Sequence, residues 1–234
     1  MVPQQPLSYI GRVTDRASLL AALADPQRLR IVDALAEGDR APTELSEALE
    51  LPSNLLAHHL GVLTEAGVIR RRRSDGDGRR SYLALNWDEP IVAATIGSGE
   101  AFGACRVVFV CTANSARSQF AAALFARQSD VPVASAGTQP ADAINPRALA
   151  ELERRGLEPL TPHPVSLAFE RRMDDLVVAV CDNAYEADGT LASVHWSVPD
   201  PAAADTDEAF AAAFDQIQPR VRRLAAAVTN GDPS

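Results

Sequence analysis

Residues 106–125, RVVFVCTANSARSQFAAALF, decide how the chain is read. Val107-Val108-Phe109-Val110 is a short apolar run of strand type, and the segment from Arg117 reads as a helix. Between them stand Cys111 and Arg117, separated by five residues. A cysteine in this place is either a small hydrophobe in a core or a thiolate in an anion cradle. A loop of this length between strand and helix can turn its N–H groups inward as a nest for a tetrahedral oxyanion. The helix opening at Arg117 adds its positive end and its unpaired N–H groups. Arg117 offers a planar fork to two oxygens of phosphate or arsenate. The same field favours thiolate at Cys111, and Ser118 can donate to the sulfur. Asn114 can hold the loop in an otherwise strained conformation, and the small residues Ala113, Ser115 and Ala116 let the backbone approach the anion. Thr112 to Ser118 are therefore the expected oxyanion cradle.

Composition sets the frame. The 234 residues suffice for one large or two ordinary domains, and 47% hydrophobic residues with a mean hydropathy of −0.07 fit a globular chain. No apolar run approaches the roughly 20 residues that span a bilayer, so no membrane partner is expected. The opening residues, MVPQQPLSYIGRVTD, lack the regions of a signal peptide. Cys105, Cys111 and Cys181 are odd in number and far apart, which argues against a disulfide framework and for a reducing cytoplasm. Cys105 precedes a strand, at the end away from the loop, and reads as structural. All 22 cationic residues are arginine. A net charge of −9 argues against general polyanion binding, yet residues 70–80, RRRRSDGDGRR, carry a local +4 from six Arg and two Asp.

The first 85 residues show helical periodicity. Ser18 to Ala24, Pro26 to Leu35, Thr43 to Leu49 and Ser53 to about Glu65 read as helices, with Ser53 as a cap and Gly67 as a stop. Val68 to Arg73 and Arg79 to Leu85 read as two strands around a Gly- and Asp-rich turn. Helix, turn, helix and hairpin make a winged helix-turn-helix. LADPQRLRIVDALAEG followed by LLAHHLGVLTEAGVIRRRRSDGDGRRSYLAL resembles the ArsR-type winged helix repressors, a family of dimeric regulators. That resemblance places Ser53, Asn54, Leu55, Ala57 and His58 near base edges of double-stranded DNA, and Arg71, Arg72, Arg79 and Arg80 near phosphates. It also implies a homodimer. The family often has hydroxyl residues where Leu55 and Ala57 stand, and its metal-sensing members carry a cysteine pair that TELSEALE lacks, so no metal site is expected. The bland alternative is a winged helix used for docking. Residues 86–104 read as a dimerisation helix and linker, which sets domains of 1–98 and 99–234.

The second half alternates short apolar strands with helices: Arg106 to Val110, Val131 to Ser135, Leu176 to Val180 and Val194 to Ser197, between Arg117 to Gln128, Asn145 to Arg155 and Asp205 to Val228. This is the pattern of an α/β doubly wound parallel sheet, whose sites lie at the carboxyl ends of the strands. Cys111 and Cys181 each follow a strand. VVFVCTANSARSQFAAALF, VASAGTQP, INPRALAELERRGL, DDLVVAVCDNA and HWSVPDPA, in that order, resemble the low-molecular-weight tyrosine phosphatase fold and, within it, the arsenate reductases. By that likeness Cys111 is the nucleophile, Arg117 the oxyanion clamp, Asp200 the general acid and Cys181 the resolving thiol. Taken alone, an Asp-Pro is only a turn or a helix cap. The three alanines after Pro201, where phosphatases of the fold carry aromatics, and His195-Trp196 before Asp200 favour the reductase. The third cysteine of thioredoxin-coupled reductases is replaced by ADGTLAS, and Ala116 replaces a loop cysteine common in both branches. A reductase of this kind binds no cofactor and takes electrons from outside: thioredoxin, a mycoredoxin-like protein or a low-molecular-weight thiol. Hydrolysis of phosphomonoesters and non-catalytic oxyanion sensing stay open beside arsenate reduction.

Overall fold

The computed structural model describes residues 9–96, 101–187 and 192–231, with side chains from Arg16 onward. The N-terminal part runs α1 (Tyr9–Leu23), α2 (Pro26–Glu37), α3 (Pro42–Leu49), α4 (Ser53–Glu65), the hairpin β1 (Ile69–Arg73) and β2 (Ser81–Leu85), and α5 (Pro90–Thr95). Leu45 of α3, Leu56, Leu60 and Leu63 of α4, and Ile31, Val32 and Leu35 of α2 close one core against Ile69, Leu83 and Leu85 of the hairpin. Asp25 caps α2 by accepting from the Arg28 N–H at 3.0 Å, and Pro26 takes the first-turn place. Gly67, at φ 72, ends α4 as expected. The expected Ser53 cap is corrected: Pro52 occupies the cap position in extended backbone and Ser53 is already helical. The segment 86–104, expected as a dimerisation helix and linker, contains one short helix among its described residues. It is the six-residue α5, whose Val92 is buried in this same core, and the chain from Phe102 already belongs to the other half. The boundary expected between residues 98 and 99 lies outside the described residues.

The C-terminal part contains β3 (Phe102–Ala104), β4 (Arg106–Cys111), α6 (Arg117–Ala126), β5 (Val133–Gly137), α7 (Pro146–Arg154), α8 (Leu167–Glu170), β6 (Asp175–Ala179), α9 (Asp182–Ala187), β7 (Val194–His195), α10 (Pro201–Ala204), α11 (Asp207–Ala227) and β8 (Val228–Asn230). Four strands form a parallel sheet in the order β5-β4-β6-β7. The chain leaves β4 for β5 on one side and returns to β6 on the other, so the strand order reverses at the carboxyl end of β4, where open α/β sheets form their crevice. All six residues of β4 are buried, which explains its unbroken apolar run. α6 is buried from Arg117 through Phe125 and packs Phe120 edge-on against Phe214 of α11 at 5.4 Å.

Buried polar contacts join the two parts. Asp39, in the turn after α2, donates its N–H to the His195 carbonyl at 2.7 Å. Its carboxylate accepts from the Ser197 N–H at 2.7 Å and pairs with Arg220 of α11 at 3.0 Å. Tyr185 stacks on His195 at 4.1 Å and donates to Glu44, and burial holds its hydroxyl up at about 12. The Asp39–Arg220 pair is 1% and 5% exposed. Removing one partner of such a pair strands the other charge, which costs about 3–5 kcal/mol. Asp39→Ala is therefore expected to lower the unfolding free energy by about 3 kcal/mol or more. An unchanged denaturant midpoint contradicts that role.

Candidate functional site

The loop between β4 and α6 is built around Asn114. Its backbone sits at φ 50, a left-handed conformation that Asn tolerates better than most residues. Its buried side chain is bonded on both faces. Nδ2 donates to Ser118 Oγ at 2.8 Å and Ser135 Oγ at 3.0 Å. Oδ1 accepts from the Val165 N–H at 2.8 Å and from Gln119 Nε2 at 3.2 Å, and Gln119 Nε2 also reaches the Asn114 carbonyl at 3.0 Å. The turn brings the Asn114 N–H to 3.2 Å from Cys111 Sγ, and Ser118 Oγ stands 3.1 Å from the same sulfur. Cys111 closes β4 opposite Gly137 of β5. A Cβ on Gly137 would lie 2.7 Å from the Thr112 carbonyl and 3.1 Å from Asn114, so only glycine fits under the loop.

Arg117 opens α6 into this loop and is buried. Nη1 donates to the Val198 carbonyl at 3.0 Å, and Nη2 lies 3.3 Å from Asp200 Oδ1. Burial works against its charge, but Cys181, Cys111, Asp200 and Asp75 together hold its pKa above the ordinary value. Cys181 is buried between β6 and α9, with Thr112 Oγ1 at 3.7 Å and the Ala184 N–H at 3.4 Å from its sulfur. Burial first, and then the neighbouring Cys111, push its thiol pKa up, against the pull of Arg117. The Asp200 carboxylate, half exposed, caps α10 by accepting from the Ala202 N–H at 3.2 Å while it faces Arg117. Asp200 is thus both the helix cap that an Asp-Pro usually makes and a neighbour of the loop. Two thiols, a guanidinium and a carboxyl group therefore meet at the carboxyl end of the sheet. Such a set can bind a tetrahedral anion, attack it, and protonate what leaves. Cys105 lies at the other end of β4, with its sulfur 3.5 Å from the Gly231 carbonyl.

In the helix-turn-helix part, Ser53, Asn54, Leu55, Ala57 and His58 are all exposed on one face of α4, while Leu56, His59 and Leu60 are buried. Arg71, Arg79 and Arg80 are exposed as well, the last two beside Asp77. Arg72 is a correction. It pairs across the hairpin with Tyr82, whose face turns toward the second domain, and its guanidinium bonds to Asp75, Asp182 and Ser197. It is not presented to a phosphate backbone. Motifs alone do not reveal Ser135 and Gln119, which brace Asn114, or Asp75 and Asp182, which reach the site from loop and helix. A serine two residues before Gly137 and a glutamine in α6 have no distinctive spacing, so nothing in the chain marks them.

Because the loop rests on Gly137, Gly137→Ala is expected to displace Thr112 and Asn114 and weaken phosphate or arsenate binding by about tenfold or more, in keeping with the steep cost of small misplacements in such sites. Competitive inhibition constants for both anions check this, and wild-type values in the variant contradict it.

Residues 106–232 match the low molecular weight phosphotyrosine protein phosphatase family, and residues 23–72 match a helix-turn-helix domain. Over the N-terminal part the chain is 42% identical across 62 residues to a biofilm growth-associated repressor of Agrobacterium fabrum, covering 26% of this chain and 53% of that protein. It is 46% identical across 56 residues to the HTH-type transcriptional repressor SmtB of Mycobacterium tuberculosis, covering 24% and 42%. The chain thus spans about half the length of the curated relatives it matches. Among solved structures, an arsenate reductase from Archaeoglobus fulgidus is 29% identical with a TM-score of 0.44, covering 51% of this chain and 98% of that one. With its matched region running from the first strand of the parallel sheet past the last helix, the chain belongs to the low molecular weight phosphotyrosine protein phosphatase family and carries a helix-turn-helix domain ahead of it.

Proposed function

We propose that the C-terminal domain reduces arsenate to arsenite with its own two thiols. The observation that carries this reading is Cys181, a second buried thiol whose sulfur lies 3.7 Å from Thr112 Oγ1 of the loop that Cys111 opens. In the first step the Cys111 thiolate attacks arsenate held by the loop N–H groups and Arg117, and Asp200 gives a proton to the departing oxygen, which leaves as water. In the second, Cys181 attacks Cys111 Sγ. The S–S bond forms, the S–As bond breaks, and its electron pair stays on arsenic, which departs as arsenite. Two thiols are oxidised as As(V) becomes As(III), and an external thiol or thioredoxin-like protein restores them. The raised pKa of Cys181 means that this second step gains rate as pH rises, because only the thiolate attacks. The alanines 202–204 after Pro201 provide no ring to grip a phosphotyrosine.

Hydrolysis of a phosphomonoester is the second reading, favoured by the family itself. The two part at Cys181. Cys181→Ser is expected to abolish thiol-dependent arsenite release at every pH and to leave aryl phosphate turnover within about threefold of wild type, since hydrolysis needs only the first thiol. Arsenite release that survives the substitution, or an intact protein that turns over aryl phosphate and ignores arsenate, overturns the reductase.

For the N-terminal domain we infer binding to double-stranded DNA through the exposed face of α4, with Arg71, Arg79 and Arg80 near phosphates. Two of the matched relatives over this segment are named repressors, one of them an HTH-type transcriptional repressor. Replacing these three arginines by glutamine is expected to lower duplex affinity and to reduce the slope of log K against log salt by about 0.9 for each phosphate no longer neutralised. An unchanged slope argues for docking to protein instead.

A further inference from the structure

The hairpin tip between β1 and β2, residues 74–77, lies against the start of α9 and the Asp200 loop, at the border of the oxyanion site. Asp182, the residue after Cys181, accepts from the Asp75 N–H at 2.9 Å through Oδ2 and pairs there with Arg72, while its Oδ1 stands 3.0 Å from His195 Nε2. Glu186, one turn along α9, accepts from Ser74 Oγ at 2.7 Å, the Asp77 N–H at 2.6 Å and the Tyr82 hydroxyl at 2.8 Å. A Cβ on Gly76 would collide with the Glu186 carboxylate, so the tip is fitted closely to the helix. Asp75 then connects the hairpin to the site. Its Oδ1 accepts from Arg72 Nη1 at 2.7 Å, and its Oδ2 accepts from the Asp200 N–H at 3.1 Å.

These contacts reach both moving parts of the chemistry. The Asp200 carboxylate faces Arg117 at 3.3 Å, and its backbone N–H is anchored on Asp75, so the hairpin sets where that carboxylate points. Arg72 grips Asp182 beside Cys181 and also reaches Ser197 Oγ at 3.2 Å, three residues before Asp200. The Asp75 charge is felt at Arg117 itself. A contact that served only to hold two domains together has no need to converge on the acid and on the residue next to the second thiol.

We propose that Asp75 and Arg72, both from the hairpin of the helix-turn-helix domain, are positioning residues of the oxyanion site: they hold the Asp200 loop for proton transfer and the α9 terminus for presentation of Cys181. The proposal rests on the reading of Cys111 and Asp200 as the reacting pair. The site is then complete only when the hairpin is docked, and the DNA-facing domain contributes directly to turnover.

The leaving group separates positioning from mere support. Phenolate needs a proton to depart, whereas p-nitrophenolate leaves nearly unaided, so a misdirected Asp200 slows phenyl phosphate far more. Asp75→Ala in the full chain is expected to lower kcat on phenyl phosphate by about tenfold or more and on p-nitrophenyl phosphate by less than about threefold, with KM little changed. Asp75→Asn keeps an oxygen for the Asp200 N–H and is expected to recover most of the loss. Equal losses on both esters, or an Asn variant as impaired as the Ala variant, overturn the positioning role. If the wild type acts on arsenate alone, the same pair is read on arsenate kcat: loss in Asp75→Ala with recovery in Asp75→Asn supports the role, and no loss overturns it. Asp200→Asn, run in parallel, tests the underlying reading. Equal effects of that variant on both esters remove Asp200 as the acid whatever Asp75 does, and a wild type inert toward arsenate and both esters overturns both statements.

Discussion

Asn114 holds a left-handed turn because its side-chain amide is bonded on every side: Ser118 and Ser135 take its donors, and Val165 and Gln119 fill its acceptor. Left-handed backbone costs a non-glycine residue on the order of 1 kcal/mol, and each buried hydrogen bond contributes a comparable amount in the other direction. The turn is therefore held rigidly at little net cost in stability. Its consequence is chemical. The chain doubles back at Cys111 so that the Asn114 N–H and Ser118 hydroxyl face the sulfur, and Arg117 follows at the start of a helix whose dipole points the same way. Gly137 lets the turn sit on β5, and the reversal of strand order at β4 opens the crevice above it.

Around this loop the molecule gathers groups from distant parts of the chain. Asp200 and Val198 come from the segment before the last helix, Cys181 from the end of β6, and Asp75 from the hairpin of the N-terminal part. The ion pairs that tie the halves together are largely desolvated, and pairs of that kind are weak sources of net stability but exacting about geometry. Asp182 shows how many demands meet on one side chain. It serves His195, Arg72 and the Asp75 N–H at once, and although burial opposes its charge, these donors keep its carboxyl below the ordinary value. Buried polar contacts thus concentrate where the two domains and the site coincide.

The parts of the site that obey local rules are visible in the sequence. The Cys111-to-Arg117 spacing behind a buried strand, the Asn114 turn and the alternation of strand and helix are legible from periodicity and residue type, whereas the exposed side of α4 is placed by resemblance. Asp200 is legible only through resemblance, because an Asp-Pro reads as a cap, which it also is. Arg72 departs from expectation for a clear reason. A basic run in a hairpin of a helix-turn-helix reads as a phosphate-facing wing, and only tertiary packing turns the face carrying Arg72 and Tyr82 toward α9. Long-range partners such as Ser135, Asp75 and Asp182 leave no periodic trace, since their spacing is set by how two domains meet.

On the proposed reading, two thiols of one chain deliver two electrons to arsenic. This is tested most directly by a single turnover: reduced protein, freed of thiol, is mixed with excess arsenate, arsenite is counted, and the cysteines are mapped by mass spectrometry. The expected result is one arsenite per chain together with a disulfide between Cys111 and Cys181, and Cys105 still free. No arsenite, with Cys111 and Cys181 both still open to alkylation, contradicts it.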